Sequence, residues 1–430
     1  MFKKIIKQDQ STKKFRIILI VVVGILTLFI LGYFNKTIIV QKIKSIVPKN
    51  IVSIGKMILD SNLNSKKIRN DYNVKFLPET QFIALDFKKL KTNINISNIS
   101  GYADFLKVKT KTFYIDIYKN ELFLFYKNGK SFSANILNKN NSKLKLNIVE
   151  HNLKNIDVTD ILINEDRIYL AGSLKVNSKC KKFTVYESSL KKKILNFTII
   201  FQDLNCYTSI QAGKIQYYKK DKSIFVSTAA NILDYYYNSE TSDDKPQSDE
   251  SLMGKIIKIN NDKSYEIYSK GHRNIIGLLA FDDIVLATEN GPRGGDEINL
   301  IKKGKNYGWP IASYGEKYLE FNKQELFYKK SHENYGYEEP IFSFIPSIGI
   351  SEIIKIGNNF SKYWQDSFLV ASLNSNHIYR INFDKDYNKI KFIEKIFIGD
   401  RIRDMKYHQG TIFLSLENNN QVGILKMKTN

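Results

Sequence analysis

The chain has 430 residues, of which 43% are hydrophobic and 25% charged, so it can bury a sizeable core and is unlike a disordered chain. It carries 66 lysines and arginines against 43 acidic residues, and a net charge of +23 would suit an anionic partner such as nucleic acid or a lipid surface. The excess is mostly lysine spread along the whole chain, which is more typical of a generally basic, solvated surface. Five histidines and two cysteines form no zinc-binding pattern, and Walker A, Gly-x-Ser-x-Gly and Gly-x-Gly-x-x-Gly motifs are absent, which excludes several common enzyme classes.

The N-terminal end has the pattern of an uncleaved membrane anchor. Residues 17–34 contain no charged side chain, and as a helix they would cover about 27 Å, enough to cross a bilayer core. The basic tail before them, residues 1–16, has six lysines and arginines opposed only by Asp9. The positive-inside rule then keeps this tail in the cytoplasm and puts the rest of the chain on the periplasmic or extracellular side. A cleaved signal peptide is the alternative, but no Ala-x-Ala site or lipobox cysteine ends the apolar run.

Residues 35–74 are predicted to be a basic linker, and residues 75–430 a single β domain. Through this domain a polar turn followed by a short apolar strand recurs six times. The strands are Leu122–Phe125, Ile168–Leu170, Ile224–Val226, Ile284–Leu286, Phe368–Val370 and Ile412–Leu414. Their separations of 46, 56, 60, 84 and 44 residues fit propeller blades with one long insertion. We therefore predict an all-β, six-bladed β-propeller with an N-terminal single-pass transmembrane helix; a pair of β-sandwiches is the alternative.

Two further features suit a β domain outside the cytoplasm. Residues 239–251 contain no apolar side chain and are predicted to be a solvated loop. Cys180 and Cys206 lie on neighbouring predicted strands and can pair in an oxidising compartment, although two free buried thiols are equally ordinary.

Residues 271–310 carry three motifs in close succession: Gly-His-Arg-Asn, the acidic loop Glu-x-Gly-Pro-x-Gly-Gly-Asp-Glu-Ile-Asn, and Gly-Lys-Asn-Tyr-Gly-Trp-Pro. In this order they resemble the glucose/sorbosone dehydrogenases, which include the pyrroloquinoline-quinone (PQQ)-dependent soluble glucose and aldose sugar dehydrogenases. A looser resemblance extends from about residue 157 to 424. The resemblance implies a six-bladed propeller, in agreement with the strand count, and PQQ-dependent oxidation of an aldose, another polyol or a related alcohol.

The resemblance also assigns roles to individual residues. Arg273 matches the arginine that lies over the quinone, where a cation stabilises negative charge on the quinone oxygen. Arg401 and Arg403 match a pair that contacts the quinone carboxylates, and Gln211 lies in a further stretch that matches the cofactor site. Alternation puts both arginines on one strand face, and guanidinium groups bind carboxylates in bidentate fashion.

Calcium is the second cofactor that the resemblance implies. Gly291 and Pro292 match the residues whose carbonyl oxygens bind the calcium on the quinone. Glu297 and Tyr307 match the ligands of a further calcium, to which a carboxylate and a carbonyl oxygen are well suited.

The sequence departs from the family at the residue that acts as general base and accepts the proton of the substrate. Ile210 occupies the position of the family's general base, a histidine, and no histidine lies between His151 and His272. Asn374 replaces a quinone-binding lysine. Ser209, Ile345 and Ser347 are further departures from the family's pattern around the site.

These departures leave two function hypotheses from different classes. The first is an exported, membrane-anchored sugar or alcohol dehydrogenase that uses PQQ and calcium and a different base, with Asp203 and Tyr207 as candidates. The second is a catalytically silent propeller that binds a carbohydrate or protein through the same face. Nucleic-acid binding is not expected, because no motif supports it and export contradicts it. The sequence does not identify the substrate or the electron acceptor.

Overall fold

The computed structural model describes residues 74–77, 85–92, 111–137, 143–207, 213–230, 245–316 and 328–428. These residues form 26 β-strands and two short 3-10 turns, His332–Tyr335 and Lys362–Trp364, and no α-helix. Within these ranges no helix has the length and apolar character needed to cross a membrane. The predicted anchor at residues 17–34 and nearly all of the predicted linker lie outside the described residues, so both stay predictions.

The strands form six sheets, which we number as blades 1 to 6 in chain order. Two strands precede them, β1 (Lys75–Phe76) and β2 (Leu85–Lys91). Blade 1 contains β3 (Phe113–Tyr118), β4 (Glu121–Tyr126), β5 (Ser131–Asn135) and β6 (Asn147–Ile148). Blade 2 contains β7 (Ile156–Asn164), β8 (Arg167–Asn177), β9 (Cys180–Ser189) and β10 (Thr198–Gln202). Blade 3 contains β11 (Ile215–Tyr218), β12 (Ser223–Ser227), β13 (Lys255–Ile259) and β14 (Tyr265–Lys270).

Blade 4 contains β15 (Ile275–Phe281), β16 (Ile284–Glu289), β17 (Asp296–Leu300) and, after β18 (Lys305–Asn306), its outer strand β19 (Phe342–Phe344). Blade 5 contains β20 (Ile350–Lys355), β21 (Ser367–Ser372), β22 (His377–Phe383) and β23 (Ile390–Phe397). Blade 6 contains β24 (Ile402–His408), β25 (Thr411–Leu416) and β26 (Gln421–Met427). The short strands β1 and β18 pair in parallel with β23 and β14 and widen blades 5 and 3.

The first strands of the six blades form a closed ring. β3 contacts β7, β7 contacts β11, and the series continues through β15, β20 and β24 back to β3. The six apolar strands that the sequence indicated are the second strands of the six blades (β4, β8, β12, β16, β21 and β25). The predicted six-bladed propeller is therefore confirmed, and the 84-residue gap corresponds to an insertion between β17 and β19 of blade 4.

Apolar side chains fill the space between each pair of neighbouring blades. Of the seven hydrophobic clusters in the described residues, six lie at the interfaces around the ring, one at each. The interface between blades 6 and 1 unites the two ends of the propeller, with Phe413 and Val422 packed in one cluster with Phe113 and Leu124. Apolar burial, the dominant favourable term in folding, is thus distributed evenly around the ring.

The N-terminal strand β2 closes the ring. It pairs with β26 in antiparallel register from Leu85 opposite Met427 to Lys91 opposite Gln421, and so supplies the fourth strand of blade 6. Leu85 is buried in the core between blades 5 and 6. The last blade is therefore assembled from both ends of the chain.

Buried carboxylates connect the inner strands, which are not paired with one another by a backbone ladder. Asp404 accepts the amide of Ile115 in the next blade at 2.8 Å, and Asp160 accepts the amide of Ile215 at 3.0 Å. Asp116 likewise accepts the amide of Ile163 at 2.6 Å. Each carboxylate satisfies a backbone donor at the open edge of an inner strand, a group that would be costly to bury without a partner.

The two cysteines are joined by a disulfide, Cys180–Cys206. It links the start of β9 to the segment that follows β10, where Tyr207 and Lys181 also exchange two backbone hydrogen bonds of 2.8 and 2.9 Å. The disulfide is one of the two alternatives that the sequence left open.

Candidate functional site

The site residues meet at one end of the propeller. Arg273 and Arg401 precede inner strands β15 and β24, whereas Asn374 follows the second strand β21, which runs in the opposite direction. Gly291 and Pro292 lie in the turn between β16 and β17. Because the starts of first strands and the ends of second strands lie at the same end of a blade, all of these residues lie at one end of the blades that carry them.

Arg401, Arg403 and Asn374 form one cluster, as their common predicted role requires. The Nε atoms of Arg401 and Arg403 donate to the two carboxylate oxygens of Glu417 at 3.3 and 2.6 Å. One terminal nitrogen of Arg401 also donates to Asn374 Oδ1 at 2.8 Å. Glu417 is fully buried and additionally accepts a hydrogen bond from Thr112.

The charge of this cluster suits a carboxylate ligand. Two guanidinium groups share one carboxylate, which leaves one net positive charge on side chains that are only partly buried. Burial alone would raise the pKa of Glu417, but the two arginines more than offset it and hold the pKa below its usual range. Glu417 is thus ionised and fixes both arginines by their Nε atoms. No motif pointed to Glu417, which lies at the turn after β25.

Arg273 lies between the end of β16 and the insertion of blade 4. One of its terminal nitrogens donates to the carbonyl of Asn290 at 2.8 Å, and its backbone amide donates to Glu289. Its guanidinium lies 5.2 Å from the centre of the Trp309 ring, the distance of a cation–π contact. The side chain is only 6% exposed, so its position is set by the protein and not by solvent.

His272 is held by hydrogen bonds and by ring stacking inside the protein. It is fully buried, with Nε2 at 2.8 Å from Ser269 Oγ and Nδ1 at 3.1 Å from Glu289. Its ring is stacked on Tyr307 at 4.6 Å. Both ring nitrogens are thus engaged by other side chains of the protein.

Glu297 and Tyr307 lie in the same region, beside further buried carboxylates. Glu297 faces Glu289 across the β16–β17 pair, and the nearest basic group is His332, whose Nε2 is 3.9 Å away. Burial and the neighbouring Glu289 raise the pKa of Glu297, and burial lowers the pKa of His332. Burial and Glu289 thus favour the protonated form of Glu297, and a bound cation would favour its charged form.

The phenol of Tyr307 is occupied, since it donates to the carbonyl of Leu300 at 2.6 Å and accepts from the amide of Lys302 at 2.9 Å. Its carbonyl oxygen accepts no hydrogen bond from any residue that the structure describes. The same holds for the carbonyls of Gly291 and Pro292 within the described ranges. These oxygens fit hard cations such as calcium. In the described part of the chain, however, no three acidic, histidine or cysteine side chains converge in a metal-binding arrangement, so any calcium would depend on such carbonyls.

The turn that carries Gly291 and Pro292 is held rigidly. Asp296 is fully buried and accepts the amides of Gly291, Ile348 and Ile350 at 3.1, 3.0 and 2.9 Å. A Cβ atom at Gly291 would lie 2.1 Å from the carbonyl of Gly295, so only glycine fits there. The acidic loop is thus clamped between blades 4 and 5.

Sequence reasoning missed a charged cluster at the propeller axis. Lys214 Nζ lies 2.8 Å from Asp160, 2.5 Å from Glu352 and 3.7 Å from Asp404, and all four side chains are almost completely buried. Burial, opposed by Lys214 and reinforced by Asp404, raises the pKa of Glu352 to about 8. Burial opposes the charge of Lys214, but Asp160, Asp404 and Glu352 raise its pKa well above the ordinary value. A signal was present, because each of these charged residues interrupts or borders an apolar strand.

Four residues were predicted to lie at or near the proton-accepting position, and the structure describes two of them. Ile210 and Gln211 lie outside the described residues, so their predicted places in the site stay predictions. Asp203 and Tyr207 are described, and the phenol of Tyr207 donates to Asp203 at 2.7 Å. Burial and this bond raise the pKa of Tyr207, and Asp203, which is 2% exposed, also accepts the amide of Asn205 at 3.0 Å. Both residues are engaged with each other at the end of β10, and the idea that one of them serves as the base stays a prediction.

The sequence model of the Glucose / Sorbosone dehydrogenase family matches residues 149–426, well over half of the chain. The chain belongs to the glucose/sorbosone dehydrogenase family. The resemblance drawn from residues 271–310 is therefore confirmed. The match begins just before blade 2 and extends to the last strand of blade 6.

Among relatives, the chain is 33% identical over 145 residues to the aldose sugar dehydrogenase YliI of Escherichia coli, covering 33% of this chain and 38% of the relative. It is 29% identical over 199 residues to quinoprotein glucose dehydrogenase B of Acinetobacter calcoaceticus, covering 32% of this chain and 41% of the relative. An uncharacterized Synechocystis protein is 34% identical over 192 residues, covering 40% and 45%. The chain thus spans less than half the length of the relatives it matches.

Two solved structures share the fold. The soluble aldose sugar dehydrogenase of Escherichia coli in its apo form superposes with a TM-score of 0.62 at 19% identity, over 80% of this chain and all of that one. The PQQ-bound aldose sugar dehydrogenase of Streptomyces coelicolor superposes with a TM-score of 0.56 at 17% identity, over 80% and 98%. At these identities the likeness supports the propeller fold alone.

Proposed function

We propose that the protein binds PQQ and calcium at the end of the propeller that carries Arg273 and Arg401, and that it oxidises an aldose or a related alcohol there. The observation that carries the proposal is the joint placement of Arg401, Arg403 and Asn374 around the buried Glu417, with one net positive charge towards a ligand. The PQQ-bound enzyme with the same fold supports the choice of cofactor.

In this proposal the residues of the chain bind the cofactor and stabilise the charge that develops on it. Arg401 and Arg403 hold the carboxylates of the cofactor, and Glu417 keeps both guanidinium groups in place. Arg273, fixed by Asn290 and Trp309, supplies positive charge where negative charge develops on the quinone oxygen. A quinone held by these residues would supply the hydride acceptor for oxidation at the carbinol carbon of the substrate.

Calcium fits the donor atoms that the acidic loop offers. The carbonyls of Gly291 and Pro292 would hold one ion, and the carboxylate of Glu297 with the carbonyl of Tyr307 would hold another. Each ion would add fixed positive charge, and the ion at Glu297 would favour the ionised form of this buried carboxyl.

A second candidate function is a propeller that binds its ligand without oxidising it. The observation that favours it is Ile210 at the family's base position, since an isoleucine cannot accept the hydroxyl proton. Losing a general base typically costs about 10²–10⁴-fold in rate. If this second function is the correct one, the protein as it stands should show weak or no aldose oxidation.

We further propose that the protein is anchored in a membrane by residues 17–34 with the propeller on the periplasmic or extracellular side. The six cationic residues before the apolar run and the disulfide of blade 2 support this topology. Protease added to spheroplasts should digest the propeller and leave a membrane-bound stub, whereas a propeller cleaved only after lysis would contradict the topology.

Dye-coupled oxidation of glucose and other aldoses tests the choice between the two functions. The full-length protein is reconstituted with PQQ and calcium and compared with Ile210→His and with Ile210→His/Asn374→Lys. Activity that appears only in the variants supports a cofactor site that lacks its base. Robust oxidation by the unmodified protein would show that another residue acts as base and would remove the case for a silent propeller.

A further inference from the structure

The polar segment that ends at Ser251 is not the wholly solvated loop that its composition predicts. Its described part, from residue 245, is docked against the site, with Pro246 buried and Gln247 partly buried. The carbonyl of Pro246 accepts the amide of Gly271 at 2.9 Å, two residues before Arg273. The segment therefore lies directly against the backbone that presents Arg273.

A buried lysine fixes this segment. Lys255 is fully buried, and its ammonium donates to the carbonyls of Lys245, Met253 and Pro246 at 2.7, 2.9 and 3.1 Å. An ammonium taken out of water is costly unless such bonds compensate it. Lys255 thus ties both ends of the segment to the start of β13, which gives Gln247 a defined position.

Gln247 connects the segment to the insertion of blade 4. Its Nε2 atom donates to the carbonyl of Trp309 at 2.6 Å. Its Oε1 atom accepts a hydrogen bond of 2.7 Å from the side-chain Nδ2 of Asn306, and its Nε2 atom also lies 3.2 Å from Asn306 Oδ1. The amide of Trp309 in turn donates to the carbonyl of Gly271 at 2.9 Å.

The Trp309 ring and the carbonyl of Asn290 both contact the Arg273 guanidinium. Asn290 immediately follows a strand of blade 4, whereas Trp309 lies in the long insertion and is fixed from outside by Gln247. We propose that Gln247 is a positioning residue that sets the orientation of the Arg273 guanidinium through Trp309. The catalytic consequence rests on the proposed function, but the positioning itself does not.

The fluorescence of Trp309 tests the first step without any cofactor. The chain has two tryptophans, so in Trp364→Phe all tryptophan fluorescence comes from Trp309. In this background Gln247→Met keeps the side-chain volume and removes all three bonds, and Gln247→Glu keeps the length but loses the donor to Trp309. Both should shift the emission to the red and make Trp309 more accessible to acrylamide, whereas the adjacent Ser248→Ala should leave it unchanged.

Quinone affinity tests the second step. Gln247→Met should weaken PQQ binding roughly fivefold, as expected for one lost hydrogen bond. Because the effect is transmitted through Arg273, the same substitution in an Arg273→Met background should change the affinity little further. Equal losses in both backgrounds would overturn the proposal, as would a Trp309 emission that Gln247 variants leave like that of the control. If the parent chain binds no quinone while the emission responds as expected, the proposed function fails and the positioning role stands.

Discussion

At the scale of single residues, the propeller places its charged groups in two settings with opposite consequences. Glu417 lies between two arginines and is held ionised. Glu352 lies among Asp160, Asp404 and one lysine, so that burial and Asp404 favour its protonated form despite Lys214. The first arrangement orients two guanidinium groups that can bind a ligand. The second favours a protonated Glu352 at the propeller axis.

Glu352 should make the stability of the propeller depend on pH. Its pKa is raised from 4.5 to about 8 in the folded state, mainly by burial. A folded state that holds this proton more tightly than the unfolded chain loses stability as the pH rises from about 5 to about 8. Glu352→Gln, which keeps the shape of the neutral acid, should flatten this decline and raise the melting temperature most at pH 8 to 9.

Melting curves from pH 5 to 9 provide the measurement, with the exposed Glu150→Gln as the matched control. A control that behaves like the wild type while Glu352→Gln gains stability at high pH supports a buried proton. If Glu352→Gln instead loses stability at every pH, the carboxylate is ionised and paired with Lys214.

At the scale of structural elements, the sequence was informative where a pattern is local. The six short apolar strands were identified because buried strands are continuous apolar runs between polar turns, and each is the second strand of a blade. The strands that carry buried charge are harder to recognise in the sequence, because Asp160 and Asp404 accept hydrogen bonds from backbone amides of a neighbouring blade. Such contacts depend on which blades are neighbours, and no single stretch of sequence contains that information.

The same limit applies to the candidate site. Arg273, Arg401 and Arg403 were found by their motifs. Glu417 and Gln247 were not, although Glu417 holds Arg401 and Arg403, and Gln247 holds Trp309. The loop of residues 239–251 was misjudged in its last part for a related reason. Its polar side chains and carbonyls find partners within the protein, and composition does not distinguish such partners from water.

The disulfide of blade 2 should stabilise the segment that leads towards residue 210. It closes a loop of 26 residues, for which chain entropy predicts a stabilisation of roughly 3 kcal/mol. Cys180→Ser/Cys206→Ser should therefore melt several degrees lower than the wild type. Dithiothreitol should lower the melting temperature of the wild type alone, and an equal effect on the double variant would show that reduction acts elsewhere.

At the scale of the whole molecule, the ring is closed by β2, a strand that precedes blade 1 in the chain. β2 provides the outer strand of blade 6 and buries Leu85 in the core between blades 5 and 6. A propeller without this strand would leave β26 as an exposed edge, which is a template for aggregation. The segment before blade 1 is therefore part of the fold, even though the family match begins only at residue 149.

Truncation tests this closure. A chain that begins at residue 74 retains β2 and should melt within a few degrees of the full-length protein, whereas one that begins at residue 111 should melt markedly lower and aggregate. In the full-length chain, Leu85→Ala should cost about 2–4 kcal/mol, while the exposed Lys88→Ala should cost little. Equal melting of the two truncated chains would show that β2 is dispensable.

The central claim is that one end of this propeller binds PQQ with calcium, and calorimetric titration of PQQ into the calcium-loaded full-length protein tests it most directly. We predict stoichiometric binding that Arg403→Ala weakens by about 1.5–3 kcal/mol, or roughly ten- to a hundredfold. The exposed Arg167→Ala in blade 2 should have no effect. Absence of binding heat at several temperatures, with calcium present and the protein folded, would contradict the account.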